Sequence, residues 1–331
     1  MPASIPPEFM LAVHLENGSV SVVDVPKPHR PPGFALLRLV CGGICNTDLE
    51  LQRGYYGFTG TPGHEFVGEV VEADTHTLIG KRVVGEINFA CHNCEWCRRE
   101  LGRHCPHRTV LGIVNQPGAF AEYFVIPERN LHLVPENMPN ERAVFTEPLA
   151  AACEILDQVS IPRGSTIAVL GDGKLGLLVA LVLNAHGYPV HQFGRHSEKL
   201  HFTAAAGVRT EVASGELPMA AYDWVVEATG NAEALRQAAA MTRPRGTLIL
   251  KSTVHGLVGV DTAAIIVNEL TLVGSRCGRF EAALPLLDQH LIRAEQFVSA
   301  RYRLEDAARA FACAADHSSL KVLFEPHGLN R

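Results

Sequence analysis

Residues 166–187 read TIAVLGDGKLGLLVALVLNAHG. A short apolar strand at 166–170 runs into Gly171-Asp172-Gly173-Lys174-Leu175-Gly176, and a helical apolar pattern follows as far as Gly187. G-x-G-x-x-G flanked by a strand and a helix is the fingerprint of a dinucleotide site; without those flanks it would be an ordinary βα turn. Gly171 allows the tight turn, Gly173 lets the backbone approach a pyrophosphate, and Gly176 lets the helix pack closely on the sheet. The free N–H groups of the helix start, at Lys174 and Leu175, face the phosphates with the positive end of the dipole. The alternation continues. Strands are expected at 189–193, 221–227, 246–251 and 269–273, with a helix over 232–241 and the turn Ala228-Thr229-Gly230 between. Strands alternating with helices make βαβ units and a parallel, doubly wound α/β sheet. Thr229 joins the candidate cofactor contacts.

The strand at 189–193 ends where the ribose is read. An NAD site wants an Asp or Glu about 20 residues beyond the glycines. Here the residues are Gly194, Arg195 and His196, with Lys199 nearby and no carboxylate before Glu198. A small residue leaves room for a 2′-phosphate that Arg195 could pair with, so NADP(H) is expected over NAD(H). The bland alternative puts Arg195 on the adenine face or in solvent.

The first ~150 residues have a different texture. Short β-type runs at 34–40, 66–72, 81–86 and 120–126 are separated by Gly and Pro turns, an irregular all-β pattern. Within it lies CHNCEWCRRELGRHC at 91–105, which holds Cys91, Cys94, Cys97 and Cys105. The spacing C-x2-C-x2-C-x7-C lets four thiolates converge, and four thiolates around Zn²⁺ make a closed structural site. Bacterial ferredoxin spacing has x3 before its last Cys, so structural zinc is the reading, with the metal folding a loop that has little core of its own.

A second metal site is weaker on spacing alone. Cys45 in GGICNTDLE and His64 in PGHEFVGE come from separate loops, Glu65 follows His64, and Glu147 stands in TEPLA. One thiolate, one imidazole, one carboxylate and a water would form an open, catalytic zinc site. Either loop could equally be an ordinary turn.

The 331 residues carry a net charge of −6, with 47% apolar and 19% charged residues. That is a globular composition with no basic patch for nucleic acid and no polybasic tail for a membrane. The N-terminal MPASIPPEFM has neither a basic nor an apolar leader region. The longest apolar run, at 175–183, is about half of a ~20-residue span. A cytoplasmic location is expected, where clustered cysteines bind metal more often than they pair.

In order, GGICNTD, PGHEFVGE, CHNCEWCRRELGRHC, GAFAEYFVIP, EPLA, VLGDGKLG and VVEATG resemble the zinc-containing medium-chain dehydrogenase/reductases over nearly the whole chain. Glu in TEPLA, where liver-type alcohol dehydrogenases have Cys, is similar to the sorbitol, glucose and threonine dehydrogenase branch. The resemblance implies a GroES-like catalytic domain over 1–149 with the zinc lobe at about 88–108. It also implies a Rossmann domain over 150–280 and a C-terminal segment, 281–331, returning to the first domain. It implies two zincs per chain. Cys45 and His64 match ligands of the catalytic one, and Glu65 and Glu147 are alternatives for the third ligand or for holding the zinc-bound water. Thr47 matches the hydroxyl that takes the substrate proton, and Asp48 matches an acid that orients His64. Phe120 matches a pocket wall, and Arg276 a basic residue near the metal cleft. Glu50 replaces the His of the usual proton relay. As a base or sugar-hydroxyl ligand it favours a hydroxyl-rich substrate; otherwise it is a solvated carboxylate.

The activity implied is hydride transfer between NAD(P) and a secondary alcohol, polyol or sugar, in a homodimer or homotetramer. Two rivals stand beside it: an NADPH-dependent reductase of a biosynthetic carbonyl, and a silent nucleotide-binding relative.

Overall fold

The computed structural model describes residues 9–252, 259–260 and 262–326. Most of the N-terminal stretch read for a leader lies outside them. The chain forms two compact units, Met1–Glu147 with Phe297–Arg331, and Pro148–Gln296. These boundaries compare with the 149/150 and 280/281 expected above.

The first unit opens with the hairpin β1 (Phe9–Glu16) and β2 (Ser19–Pro26). Asn17 and Gly18 between them have positive φ, 48° and 82°, the demand that makes Asn-Gly a favoured two-residue hairpin loop. The chain continues through β3 (Phe34–Gly43), α1 (Asn46–Gln52), β4 (Glu65–Glu72), β5 (Arg82–Gly85) and β6 (Asn88–Phe89). Then come α2 (Glu95–Arg98), β7 (Thr109–Val110), β8 (Tyr123–Pro127), β9 (Leu131–Leu133) and α3 (Asn140–Ala143). Expected strands and observed ones agree closely here. The run expected from 120 begins at Tyr123 because Gly118, Ala119 and Phe120 donate their N–H groups to Thr61, Gly63 and Pro62.

After α4 (Thr146–Gln158) the second unit alternates strictly. It runs β10 (Ile167–Leu170), α5 (Lys174–Ala185), β11 (Val190–Gly194), α6 (Ser197–Ala204) and β12 (Arg209–Val212). It continues with β13 (Tyr222–Glu227), α7 (Ala232–Met241), β14 (Thr242–Leu250), α8 (Thr262–Val267), β15 (Thr271–Gly274) and α9 (Phe280–Asp288). The apolar tract of α5 buries every residue from Gly176 to Leu183, as a helix under a parallel sheet must. The parallel sheet runs β12-β11-β10-β13-β14-β15. That is the doubly wound order whose direction reverses between its first and fourth strands, where ligands bind beyond the strand C-termini. Pro285 lies inside α9. Its position leaves a single intrahelical N–H unavailable in a short helix whose buried face, Phe280, Ala283, Leu286 and Leu287, still packs.

The chain then re-enters the first unit through β16 (Val298–Tyr302), α10 (Ala307–Ala315) and β17 (Lys321–Phe324). The seven-stranded sheet has the order β16-β17-β3-β4-β5-β9, with β8 also on β3. Thus β17 sits directly beside the strand that leads to Cys45. No helix among the described residues is long and apolar enough to cross a membrane.

Candidate metal centre and dinucleotide turn

Cys45 ends the β3 exit and caps α1, with extended backbone at φ −93°, ψ 161°. Asp48, three residues on, accepts the Cys45 N–H on Oδ2 at 2.8 Å, the reciprocal half of a capping box. Its other oxygen accepts the Gly63 N–H at 3.2 Å and lies 3.4 Å from His64 Nδ1. Asp48 thus ties the two loops together from a fully buried position. The 3.4 Å gap is longer than a good hydrogen bond, and among the described residues His64 Nδ1 makes none; Asp48 faces the ring as a charge. Burial opposes the charged ring, but the Asp48 carboxylate and the Cys45 sulfur outweigh it and hold the His64 pKa well above its ordinary value.

The His64 turn is clamped by missing side chains. Gly63 has φ +103°, and a Cβ there would lie 2.5 Å from the Phe120 ring. Cβ atoms at Gly112 and Gly118 would strike the backbone of Gly63 and Pro62. Phe120 is fully buried and meets Phe311 and Phe324 edge-on. It backs the turn from the core, where the resemblance had implied a pocket wall.

Ligand atoms of Cys45, His64 and Glu65 all lie within 4.8 Å of one another. Glu65 Oε1 is buried without a hydrogen-bond partner among the described residues. An orphan carboxylate oxygen beside a thiol and an imidazole suits a divalent zinc ion. Its other oxygen is held by Lys321 Nζ in a buried ion pair, side chains 0% and 1% exposed. The ammonium also stands 5.4 Å from the Phe145 ring centroid. A Cβ at Gly43 would come within 2.6 Å of Glu65 Oε2, which accounts for the second glycine of GGIC. Glu147, on the first turn of α4, is not a member of the three-residue group. Thr47 Oγ1 stands 3.8 Å from Cys45 Sγ. Glu50 lies along α1 and pairs with Arg53 at 2.7 Å.

In the lobe, the four sulfurs approach at 3.5–4.0 Å: Cys91–Cys97, Cys94–Cys97, Cys94–Cys105 and Cys105–Cys91. A tetrahedral site with Zn–S of about 2.3 Å requires sulfurs about 3.8 Å apart. None of the four forms a disulfide. The Asn93 N–H and neighbouring thiols pull Cys91 down to about 6, and burial with the same neighbours pushes Cys97 up to about 12. One sulfur is therefore ready as thiolate, the form that binds metal.

In the second unit, Gly171 has φ +132°, and a Cβ there would meet the Ala228 carbonyl at 2.6 Å. A Cβ at Gly176 would meet the Gly171 carbonyl at 2.5 Å, whereas one at Gly173 would meet nothing. Gly171 and Gly176 are thus packed against backbone, while among the described residues nothing stands within 4 Å of a Cβ at Gly173. Lys174 and Leu175 start α5. Buried Gln192 donates to the Gly171 carbonyl at 2.8 Å and accepts from Thr203 at 2.6 Å, pinning the turn to α6. Thr229 gives its N–H and hydroxyl to Glu227, whose second oxygen accepts from Ser252. Arg276 is exposed, and its carbonyl accepts Lys251 Nζ at 2.8 Å.

Asp172 was missed in the sequence. Its Oδ2 accepts the backbone N–H groups of Arg195 and His196, both at 2.6 Å, and faces His196 Nδ1 at 2.9 Å. The end of β11 that was read as free for a phosphate already holds an anion. An acid between the glycines is visible as GDG, but the loop it reaches is set only by the sheet.

A family model described as an alcohol dehydrogenase GroES-like domain matches residues 31–136, and one described as a zinc-binding dehydrogenase matches 175–289. Sorbitol dehydrogenase of Halalkalibacterium halodurans is 28% identical over 94% of this chain and 96% of its own. A zinc-binding dehydrogenase structure from Sinorhizobium meliloti 1021, bound to NADP, is 28% identical with a TM-score of 0.87, covering 97% of this chain and 100% of that one. L-threonine 3-dehydrogenase of Streptomyces avermitilis is 31% identical over 92% of this chain and 95% of its own. With the GroES-like unit, the doubly wound sheet and both cysteine-bearing sites in family order, the chain belongs to the zinc-containing medium-chain dehydrogenase/reductases.

Proposed function

We propose that this protein is a zinc-dependent oxidoreductase that interconverts a secondary alcohol, most simply a polyol or sugar, and its carbonyl, using a nicotinamide dinucleotide. The observation that carries the reading is the convergence of Cys45, His64 and Glu65, with one Glu65 oxygen buried and unpartnered. Cys45, His64 and either Glu65 or Glu147 would hold the ion. When bound, zinc would supply Lewis-acid polarisation of the substrate oxygen.

The chain's own groups do the rest. Thr47 Oγ1 receives the hydroxyl proton of the alcohol and passes it toward solvent. Asp48 keeps the His64 ring oriented through its buried charge. Lys321 pairs with Glu65 in the core and holds one of its carboxylate oxygens in place. A nicotinamide dinucleotide held at the glycine turn would supply the hydride chemistry, which is the cofactor's own. The open Gly173 and the start of α5 would seat the pyrophosphate. A polyol substrate is supported by the sorbitol dehydrogenase relative. The same groups serve carbonyl reduction when the reduced cofactor is supplied. Exposed Arg195 beside Gly194 supports NADP(H), and the Asp172 carboxylate opposes it.

The test is metal content together with turnover. The purified protein should hold about two zinc ions per chain and oxidise members of a panel of polyols, aldoses, threonine and secondary alcohols. Cys45→Ala should lose one zinc and all turnover. If that variant kept both, the reading would be wrong; a wild-type protein holding only the lobe zinc would identify a silent relative.

A further inference from the structure

We propose that Asp172 replaces the missing strand-end acid as the residue that reads the adenosine ribose, and that its carboxylate excludes a 2′-phosphate, so that this chain favours NAD(H). The inference rests on the dinucleotide reading of the second unit.

The position that ordinarily carries the ribose-reading acid is the end of the second strand. Here that is Gly194, the last residue of β11. A Cβ added at Gly194 would lie 2.5 Å from Asp172 Cβ and 2.8 Å from its Oδ2. The Asp172 side chain therefore occupies the volume in which a side chain at 194 would begin. The carboxylate reaches the strand end from the middle of the glycine turn, and only a glycine at 194 leaves room for it.

The partners of Asp172 make the same point. Two successive backbone N–H groups, Arg195 and His196, with the His196 ring, form a concavity of donors suited to an anion. In this chain the anion is internal. All three bonds fall on Oδ2, so a ribose hydroxyl would donate to Oδ1. A 2′-phosphate would instead bring further negative charge against a carboxylate that is 8% exposed. Arg195 offers a counter-charge, but it is exposed, where solvent and salt weaken its pull. The buried like charge wins over the screened opposite one.

The test is isothermal titration of the full-length, zinc-loaded protein with NAD⁺ and NADP⁺, and with ADP and adenosine 2′,5′-bisphosphate as fragments that bypass turnover. Wild-type protein should bind NAD⁺ ~10-fold or more tightly than NADP⁺, since like charges brought together are strongly unfavourable. Asp172→Asn keeps an acceptor for both N–H groups and removes the charge; it should move the affinity ratio ~10-fold or more toward NADP⁺ and the bisphosphate. Asp172→Gly with Gly194→Asp, which returns the acid to the strand end, should restore NAD⁺ preference. A purely structural Asp172 would change melting temperature and leave the ratio alone. NADP⁺ preference in the wild type overturns the proposal whether or not the variants fold, as does an unchanged ratio in a folded Asp172→Asn. Failure to bind either dinucleotide overturns the dinucleotide reading together with it, and is distinguishable from a shifted or unshifted ratio.

Discussion

Lys321 and Glu65 are 256 residues apart in sequence and form a fully buried ion pair beside the Cys45–His64 site. Removing one partner of such a pair leaves an uncompensated charge in the core. Lys321→Met should destabilise the protein by about 3–5 kcal/mol in denaturant unfolding. Adding Glu65→Gln should recover much of the loss, because the stranded charge is gone, and a double-mutant cycle isolates the coupling. If Lys321→Met alone were neutral, the pair would contribute nothing to the fold. The same variant should weaken zinc retention at the Cys45 site and spare the lobe, measured by metal content after dialysis. Gly43 belongs to this scale too: its missing Cβ is the space that the Glu65 carboxylate fills.

The lobe at 91–105 contains only the short helix α2, a 3-10 turn and loops, and most of its residues are not buried. Its sulfur cage is therefore its core. Cys94→Ser, or chelation of the lobe zinc, should raise amide hydrogen exchange across 88–108 and leave exchange in the β10–β15 sheet unchanged. Protection that survived metal removal would mean that the loop folds without the cage. The His64 turn is the contrasting element. Gly63, Gly112 and Gly118 let backbone pack on backbone in front of Phe120, so its shape rests on close packing.

For the molecule, the decisive feature is the return of the chain at Phe297. The last segment supplies β16 and β17 to the first unit's sheet, Phe311 and Phe324 behind Phe120, and Lys321 to Glu65. A chain truncated before Phe297 should lose the Cys45-site zinc and the cooperative unfolding of the first unit. It should keep dinucleotide binding, because the six parallel strands and the glycine turn all lie within Pro148–Gln296. Calorimetry with added NAD⁺ and NADP⁺ checks this. Retention of both zincs after truncation would contradict it.

How much of this was legible beforehand follows from range. The glycine fingerprint, the four-cysteine lobe and the alternation of the second unit are local patterns, in which spacing of a few residues decides geometry. The sequence by itself therefore determined both architectures and the lobe, whereas the Cys45 and His64 loops were legible only through the family resemblance. The Asn17-Gly18 hairpin was as local and was simply passed over. The tertiary structure alone decided that Asp172 caps the Arg195–His196 loop, that Lys321 pairs with Glu65 and that Phe120 is core. Each depends on which distant strand lies alongside. A carboxylate meets an ammonium or a backbone N–H only after the sheets have formed, and composition and spacing carry no record of that register.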